Sequence, residues 1–124
     1  MEIKITKTQT PKAKPDPDTL GFGQVFTDHM FVMEYDEGKG WHDARIVPFG
    51  EISIHPASTV LHYGAEIFEG LKAYRTPDGE IQMFRPIENA RRMNNSAERM
   101  CLPTIDENFF VKALDTLVSL ERDW

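Results

Sequence analysis

Leu71-Lys72-Ala73-Tyr74-Arg75-Thr76-Pro77-Asp78-Gly79-Glu80-Ile81-Gln82-Met83-Phe84 reads as two short strands around a turn. Pro77 stands at the second turn position, which its fixed φ suits, and Gly79 at the fourth. Beyond Phe84 the period changes. Pro86 suits the first turn of a helix, and Ile87, Ala90, Met93, Ala97, Met100 and Cys101 recur at three- and four-residue steps, opposite Arg91, Arg92, Asn95 and Glu98. Strands first and helices afterwards predict an α+β fold.

Towards the C-terminus, Pro103 breaks the chain, and Thr104-Ile105-Asp106-Glu107 fits a capping box in which Thr104 caps and Glu107 lies three residues on. The helix that follows carries Phe109, Phe110, Ala113, Leu114, Leu117, Val118 and Leu120, a stripe broad enough to cover a sheet. Upstream, Val25 to Tyr35 is rich in β-branched and aromatic residues. Asp36-Glu37-Gly38-Lys39-Gly40 supplies a turn, Trp41 to Pro48 a return strand, and Glu51-Ile52-Ser53-Ile54 alternates like a third strand. Residues 1–20, with Pro11, Pro15 and Pro17, read as an extended arm on the surface. The expected fold is therefore α+β: a largely antiparallel sheet with two helices packed on one side, spanning residues 21–124. Glu121-Arg122-Asp123-Trp124 follows an apolar helix with neither a glycine cap nor a polar tail, so the chain reads as cut short.

The composition narrows the partners. With 124 residues, one compact domain is expected, and a net charge of −6 at a pI near 5.1 lacks the basic footprint that phosphate backbones attract, which argues against nucleic acid. No apolar run approaches the roughly 18 residues that span a bilayer, and the N-terminus has neither a signal-peptide core nor an Arg-rich transit pattern. The single cysteine, Cys101, allows no internal disulfide and no multi-cysteine zinc site. A reducing, cytoplasmic compartment and no membrane partner follow by elimination.

The residues alone do not assemble a catalytic machine. Gly21-Phe22-Gly23 lacks the third glycine of a dinucleotide loop, and no Walker A, Gly-x-Ser-x-Gly or His-Glu-x-x-His motif occurs. His29, His42, His55 and His62 have no helical i, i+4 spacing, so structural or solvent-facing histidines are expected rather than metal ligands. Lys72 sits between Leu71 and Ala73 with nothing in the sequence to lower its pKa, and reads as a surface lysine rather than a Schiff-base lysine. Arg85, Arg91, Arg92 and Arg99 cluster around one helix of an acidic protein. Guanidinium groups suit bidentate recognition of phosphate or carboxylate. The competing reading is a solvated helix face with Glu88–Arg91 and Glu88–Arg92 pairs.

Several stretches taken together are more specific. Phe26-Thr27-Asp28-His29-Met30, His55-Pro56-Ala57-Ser58, Leu61-His62-Tyr63-Gly64-Ala65-Glu66-Ile67-Phe68-Glu69-Gly70-Leu71-Lys72-Ala73-Tyr74, Phe84-Arg85-Pro86, Arg92-Met93 and Cys101-Leu102-Pro103 occur in this order. The chain from about Gly21 to Trp124 closely resembles the branched-chain amino-acid aminotransferases, fold-type IV enzymes that use pyridoxal phosphate. The resemblance implies the small amino-terminal domain of a two-domain subunit that pairs as a homodimer and acts on amino acids and 2-oxo acids. It implies that Arg92 contacts the cofactor phosphate while Arg85, Arg91 and Arg99 stay structural. It further implies that Tyr63, Phe68 and Phe22 line the pocket for the branched aliphatic side chain. The family's cofactor-bearing lysine and pyridine-nitrogen carboxylate lie in a second domain, absent here, so the chain alone is expected to bind pyridoxal phosphate weakly or not at all and to have no transaminase activity. The alternatives are a free-standing α+β binding or regulatory module and a sibling D-amino-acid aminotransferase or aminodeoxychorismate lyase. The Phe-Thr-Asp-His-Met and Leu-His-Tyr-Gly-Ala-Glu-Ile-Phe-Glu-Gly stretches argue against the siblings.

Overall fold

Strand-forming residues on either side of Asp36-Glu37-Gly38-Lys39-Gly40 build the longest hairpin of the computed structural model, which describes residues 1–124. A two-residue strand at the N-terminus, β1 (Lys4–Ile5), precedes its arms, β2 (His29–Asp36) and β3 (Gly40–Pro48). β2 and β3 pair antiparallel from His29 opposite Pro48 to Asp36 opposite Gly40, with a bulge between Val32 and Glu34. Asp43, on the bulged strand, takes a left-handed φ of 53° and accepts from the Arg45 guanidinium at 2.6 Å. After β3 come α1 (Thr59–Tyr63), β4 (Ala73–Arg75), β5 (Ile81–Met83), α2 (Pro86–Arg99) and α3 (Glu107–Leu120), with a short 3-10 turn at Pro17–Thr19. The α+β class expected from the sequence holds: β2–β3 and β4–β5 are antiparallel hairpins, and the long helices follow them. No helix is long and apolar enough to cross a membrane.

The third strand of the first sheet is not where alternation puts it. Residues 51–54 form no strand, and Ile52 and Ile54 are exposed. β1 takes the place instead, parallel to β3, with Lys4 opposite Arg45 and Ile5 opposite Ile46, extended by the Thr6 N–H donating to the Ile46 carbonyl at 2.9 Å. Part of the arm is thus sheet. Alternation at 51–54 reports only that apolar and polar residues alternate, and no partner strand is there to pair with them.

The chain gathers into two compact units, Met1–Glu51 with Ala113–Trp124, and Ile52–Lys112. In the first, Ile46 on the central strand β3 is fully buried, with Ala44 beside it. The arm is tied down by specific hydrogen bonds. The Thr8 N–H donates to His29 Nε2 at 2.9 Å, and the Lys12 N–H to Asp28 Oδ1 at 2.9 Å. Because Nε2 accepts, the His29 proton is on Nδ1 and is donated to Glu121, whose other oxygen accepts from the Asp28 N–H at 3.2 Å. Trp124 Nε1 donates to Asp28 Oδ2 at 3.3 Å, and the Lys14 ammonium lies 4.4 Å from the Trp124 ring centroid. The backbone N–H of Lys12, opposing burial, Trp124 and Lys14 together leave the Asp28 carboxyl below the usual carboxylate range.

In the second unit, the β4–β5 hairpin is the one read from Thr76-Pro77-Asp78-Gly79. The Gly79 N–H donates to the Thr76 carbonyl at 2.9 Å and the Thr76 N–H to the Glu80 carbonyl at 2.8 Å, with Gly79 at φ 86°, where a side chain would be strained. α2 starts at Pro86 as expected and buries Ala90 and Ala97, whereas Met100 and Cys101, placed on its apolar stripe by spacing, are exposed. They lie past the last full turn, where Cys101 adopts φ 55°. The Leu102 N–H donates to the Ala97 carbonyl at 2.8 Å and the Cys101 N–H to the Glu98 carbonyl at 3.2 Å, the two bonds of a Schellman stop with cysteine in the glycine position. At α3 the cap is Asp106, not Thr104: its Oδ1 accepts from the Phe109 N–H at 2.7 Å. Asn94 occupies both Ile105 backbone groups, so the chain turns into the helix two residues later than the capping-box pattern implies.

Candidate cofactor-phosphate site

Residues 65–72 alternate between half-buried and exposed without belonging to a strand. Ala65, Ile67, Glu69 and Leu71 turn inward, while Glu66, Phe68, Gly70 and Lys72 turn outward. This period-two pattern puts a carboxylate, Glu69, on the inner side, with its side chain only 6% exposed. A buried carboxylate needs partners. α2 supplies them from one face: Asn89 Nδ2 donates to Glu69 Oε1 at 3.0 Å and to the Gly70 carbonyl at 3.1 Å, and Arg92, three residues on, clamps the carboxylate.

The clamp is bidentate. Arg92 Nε donates to Glu69 Oε2 at 2.7 Å and Nη2 to Glu69 Oε1, while the Gly70 N–H adds a bond to Oε1 at 2.9 Å. These donors, Arg92 first, outweigh desolvation and hold the Glu69 carboxyl down at about 2, and the same pair raises the Arg92 pKa. Glu69 uses the Nε–Nη2 edge of the guanidinium. The Nη1–Nη2 edge points away from it, and the Arg92 side chain as a whole is 67% exposed. Of the two helix-face pairs expected from spacing, Glu88–Arg91 forms at 2.8 Å and Glu88–Arg92 does not, and Glu88 also receives Arg85 at 3.3 Å.

Arg92 lines an open cleft of about 380 Å³ together with Leu71, Lys72, Tyr74, Phe84 and Arg85 on its walls, and Glu88 and Asn89 on α2. Three cationic side chains therefore share one concavity with a single lining carboxylate, Glu88, which pairs with Arg85, in a chain of net charge −6. The chemistry of this site suits a phosphate dianion: Arg92 offers the two-donor edge and Lys72 offers charge, while Arg85 is engaged by Glu88. Lys72, which spacing alone left as a surface lysine, is on the cleft wall.

The other residues implied by the resemblance occupy different places. Tyr63 ends α1 and is exposed, with Gly64 closing the helix at φ 58°. Phe68 is exposed beside Glu69, its ring within 3.4 Å of where a side-chain carbon at Gly70 would stand. Phe22 is fully exposed and belongs to the first unit. None of the three lines the cleft. The histidines take local structural roles: His42 pairs with Asp36 at 2.8 Å, His55 accepts from the Ala57 N–H at 3.0 Å and His62 donates to the Pro56 carbonyl at 2.6 Å. Sequence reasoning missed Glu69 and Asn89. The one available signal was the alternation through 65–72, which places a lone acidic residue among inward-facing apolar ones.

No protein-family model matches the chain. Individual curated proteins match it closely. It is 55% identical to "Branched-chain-amino-acid transaminase 1" of Bacillus subtilis (strain 168) over 122 residues, 98% of this chain and 34% of that protein. It is 50% identical to "Probable branched-chain-amino-acid aminotransferase" of Staphylococcus aureus (strain N315), with the same coverage of both chains. It is 46% identical to the mouse "Branched-chain-amino-acid aminotransferase, cytosolic" over 99% of this chain and 32% of that protein. The chain spans about a third of the length of these relatives. Over almost all of its residues, it corresponds in sequence to the amino-terminal part of the branched-chain-amino-acid aminotransferases.

Proposed function

We propose that this chain is the small domain of a branched-chain aminotransferase, residues 21–124 behind an N-terminal arm of residues 1–20, and that it supplies part of an active site completed by a second domain. The observation that carries this reading is Arg92, fixed by Glu69 along one edge and open along the other at a cationic cleft. In this reading Arg92 binds the phosphate of pyridoxal 5'-phosphate, with Lys72 adding charge at the same cleft while Arg85 stays paired with Glu88. When bound, that cofactor supplies the electron sink that makes the α-proton of an amino acid labile.

The remaining tasks fall to apolar side chains. Tyr63, Phe68 and Phe22 wall the substrate side chain and exclude water from it, and each buried methylene is worth about 0.8 kcal/mol, which favours leucine, isoleucine and valine over alanine. The Tyr63 hydroxyl orients a polar group at the rim. The lysine that takes and returns the α-proton belongs to the second domain, and the whole protein acts as a cytoplasmic homodimer that passes amino groups to 2-oxoglutarate. The chain alone makes one direct arginine–phosphate contact, worth about 1.5–3 kcal/mol, and the charge of the exposed Lys72 is largely screened by solvent, while a millimolar complex needs about 4 kcal/mol. It therefore binds pyridoxal phosphate weakly or not at all and transfers no amino groups.

The test is glutamate formation from 2-oxoglutarate, with pyridoxal phosphate present, by the full-length protein and by the 124-residue chain. The reading expects turnover with leucine, isoleucine and valine, little with alanine, and none with the isolated chain. Preference for alanine or for D-amino acids, no transfer by the full-length protein, or turnover by the chain alone overturns it.

A further inference from the structure

We infer that Glu69 is a positioning residue for the cofactor phosphate: it acts through Arg92, holding the guanidinium in the orientation that presents its outer edge to the phosphate. The inference rests on the reading of Arg92 given above and extends it to a residue that touches no ligand itself.

Three observations carry it. First, the exposures are inverted from those of an ordinary surface pair, because the carboxylate is 6% exposed and the arginine 67%. A buried anion anchors an exposed cation, so the fixed partner is Glu69. Second, Glu69 is fixed independently of Arg92: Asn89 Nδ2 and the Gly70 N–H both bond Oε1, and Asn89 also bonds the Gly70 carbonyl. The carboxylate cannot swing away with the arginine. Third, the contact uses Nε and Nη2, leaving the Nη1 hydrogens and the outer Nη2 hydrogen for an anion in the cleft. A free arginine side chain loses much rotamer freedom when it clamps a phosphate, and a guanidinium already held along one edge loses less. The carboxylate also withdraws some positive charge from the site. Positioning outweighs that loss, and removing the carboxylate weakens phosphate binding.

The experiment is equilibrium titration of the full-length apoprotein with pyridoxal phosphate and, separately, with pyridoxal, which lacks the phosphate, read by absorbance or fluorescence. Glu69→Gln should weaken pyridoxal phosphate roughly tenfold, about the effect of misplacing one charge-assisted contact, and leave pyridoxal unchanged. Asn89→Ala, which frees the carboxylate without removing it, should do the same to a smaller extent and carries the test if Glu69→Gln does not fold. Unchanged or tighter pyridoxal phosphate binding in these variants overturns the inference, the tighter result meaning that Glu69 competes with the phosphate. A parallel loss for both ligands also overturns it, because the pair then only supports the fold. Arg92→Ala separates the two levels: if it leaves pyridoxal phosphate affinity unchanged, the phosphate reading of Arg92 fails. If Arg92→Ala weakens binding and Glu69→Gln does not, only the positioning role falls.

Discussion

Asn94, midway along α2, holds both backbone groups of Ile105: its Nδ2 donates to the Ile105 carbonyl and its Oδ1 accepts from the Ile105 N–H, each at 2.9 Å. A side-chain amide matches a peptide in this way because it sets an N–H donor beside a C=O acceptor at peptide spacing. The segment between Pro103 and α3 thus has an internal template. Asn94→Ala strands both Ile105 groups in a part-buried place, and the expected loss is about 1–3 kcal/mol in denaturant unfolding. Asn94→Asp, which keeps the acceptor but turns a carboxylate oxygen toward the Ile105 carbonyl, should cost at least as much, and an aspartate variant of unchanged stability would contradict the two-bond bracket.

Cys101 stands in the left-handed region at φ 55°, where a residue with a Cβ is strained by about 1 kcal/mol. Cys101→Gly should raise stability by about that amount, and Cys101→Val should lower it. The side chain is exposed, so lost packing does not offset the gain. A destabilised glycine variant in thermal unfolding would show that the Schellman stop is not strained.

The Glu69 carboxyl ionises at about 2 in the folded chain, below its ordinary 4.5, chiefly through Arg92. A depressed carboxyl pKa stabilises the fold fully above the unfolded value and loses that contribution as pH falls through the folded value. Acid unfolding should therefore steepen between about pH 4.5 and 2. Glu69→Gln removes that part of the slope and leaves the neutral-pH baseline flat. An identical acid limb in the variant would contradict the clamp.

Glu121 takes the His29 Nδ1–H on one oxygen and the Asp28 N–H on the other, all three groups being buried. Glu121→Ala leaves two donors without acceptors and should cost about 2–4 kcal/mol. Glu121→Gln retains one acceptor and should cost roughly half of that. Because His29 also receives the Thr8 N–H, the alanine variant should raise hydrogen exchange in the N-terminal arm, and unchanged exchange there would separate the arm from this network.

What the sequence made legible was local. Thr76-Pro77-Asp78-Gly79 and Pro86 carry their conformations in their own backbones, and the hairpin and α2 form where those residues require. β1 escaped because a parallel partner lies some forty residues away and leaves no short-range pattern. The five-residue α1 is too short to establish a helical period, although Gly64 marks its end. Thr104 and Asp106 are both acceptable caps, and Asn94, distant in sequence, decides between them. Arg92 was named by resemblance. Its partner was not found, because helix spacing pointed to Glu88 and the true partner is 23 residues upstream on a non-helical segment. Pairings of that kind become visible only when the chain folds back.

The most direct test of the account is the affinity of the full-length apoprotein for pyridoxal phosphate with and without the Arg92 guanidinium. Arg92→Ala should weaken binding about 10- to 150-fold, the equivalent of about 1.5–3 kcal/mol for a charge-assisted phosphate contact. An unchanged affinity in a folded Arg92→Ala protein would contradict the assignment and leave the cationic cleft without its central ligand.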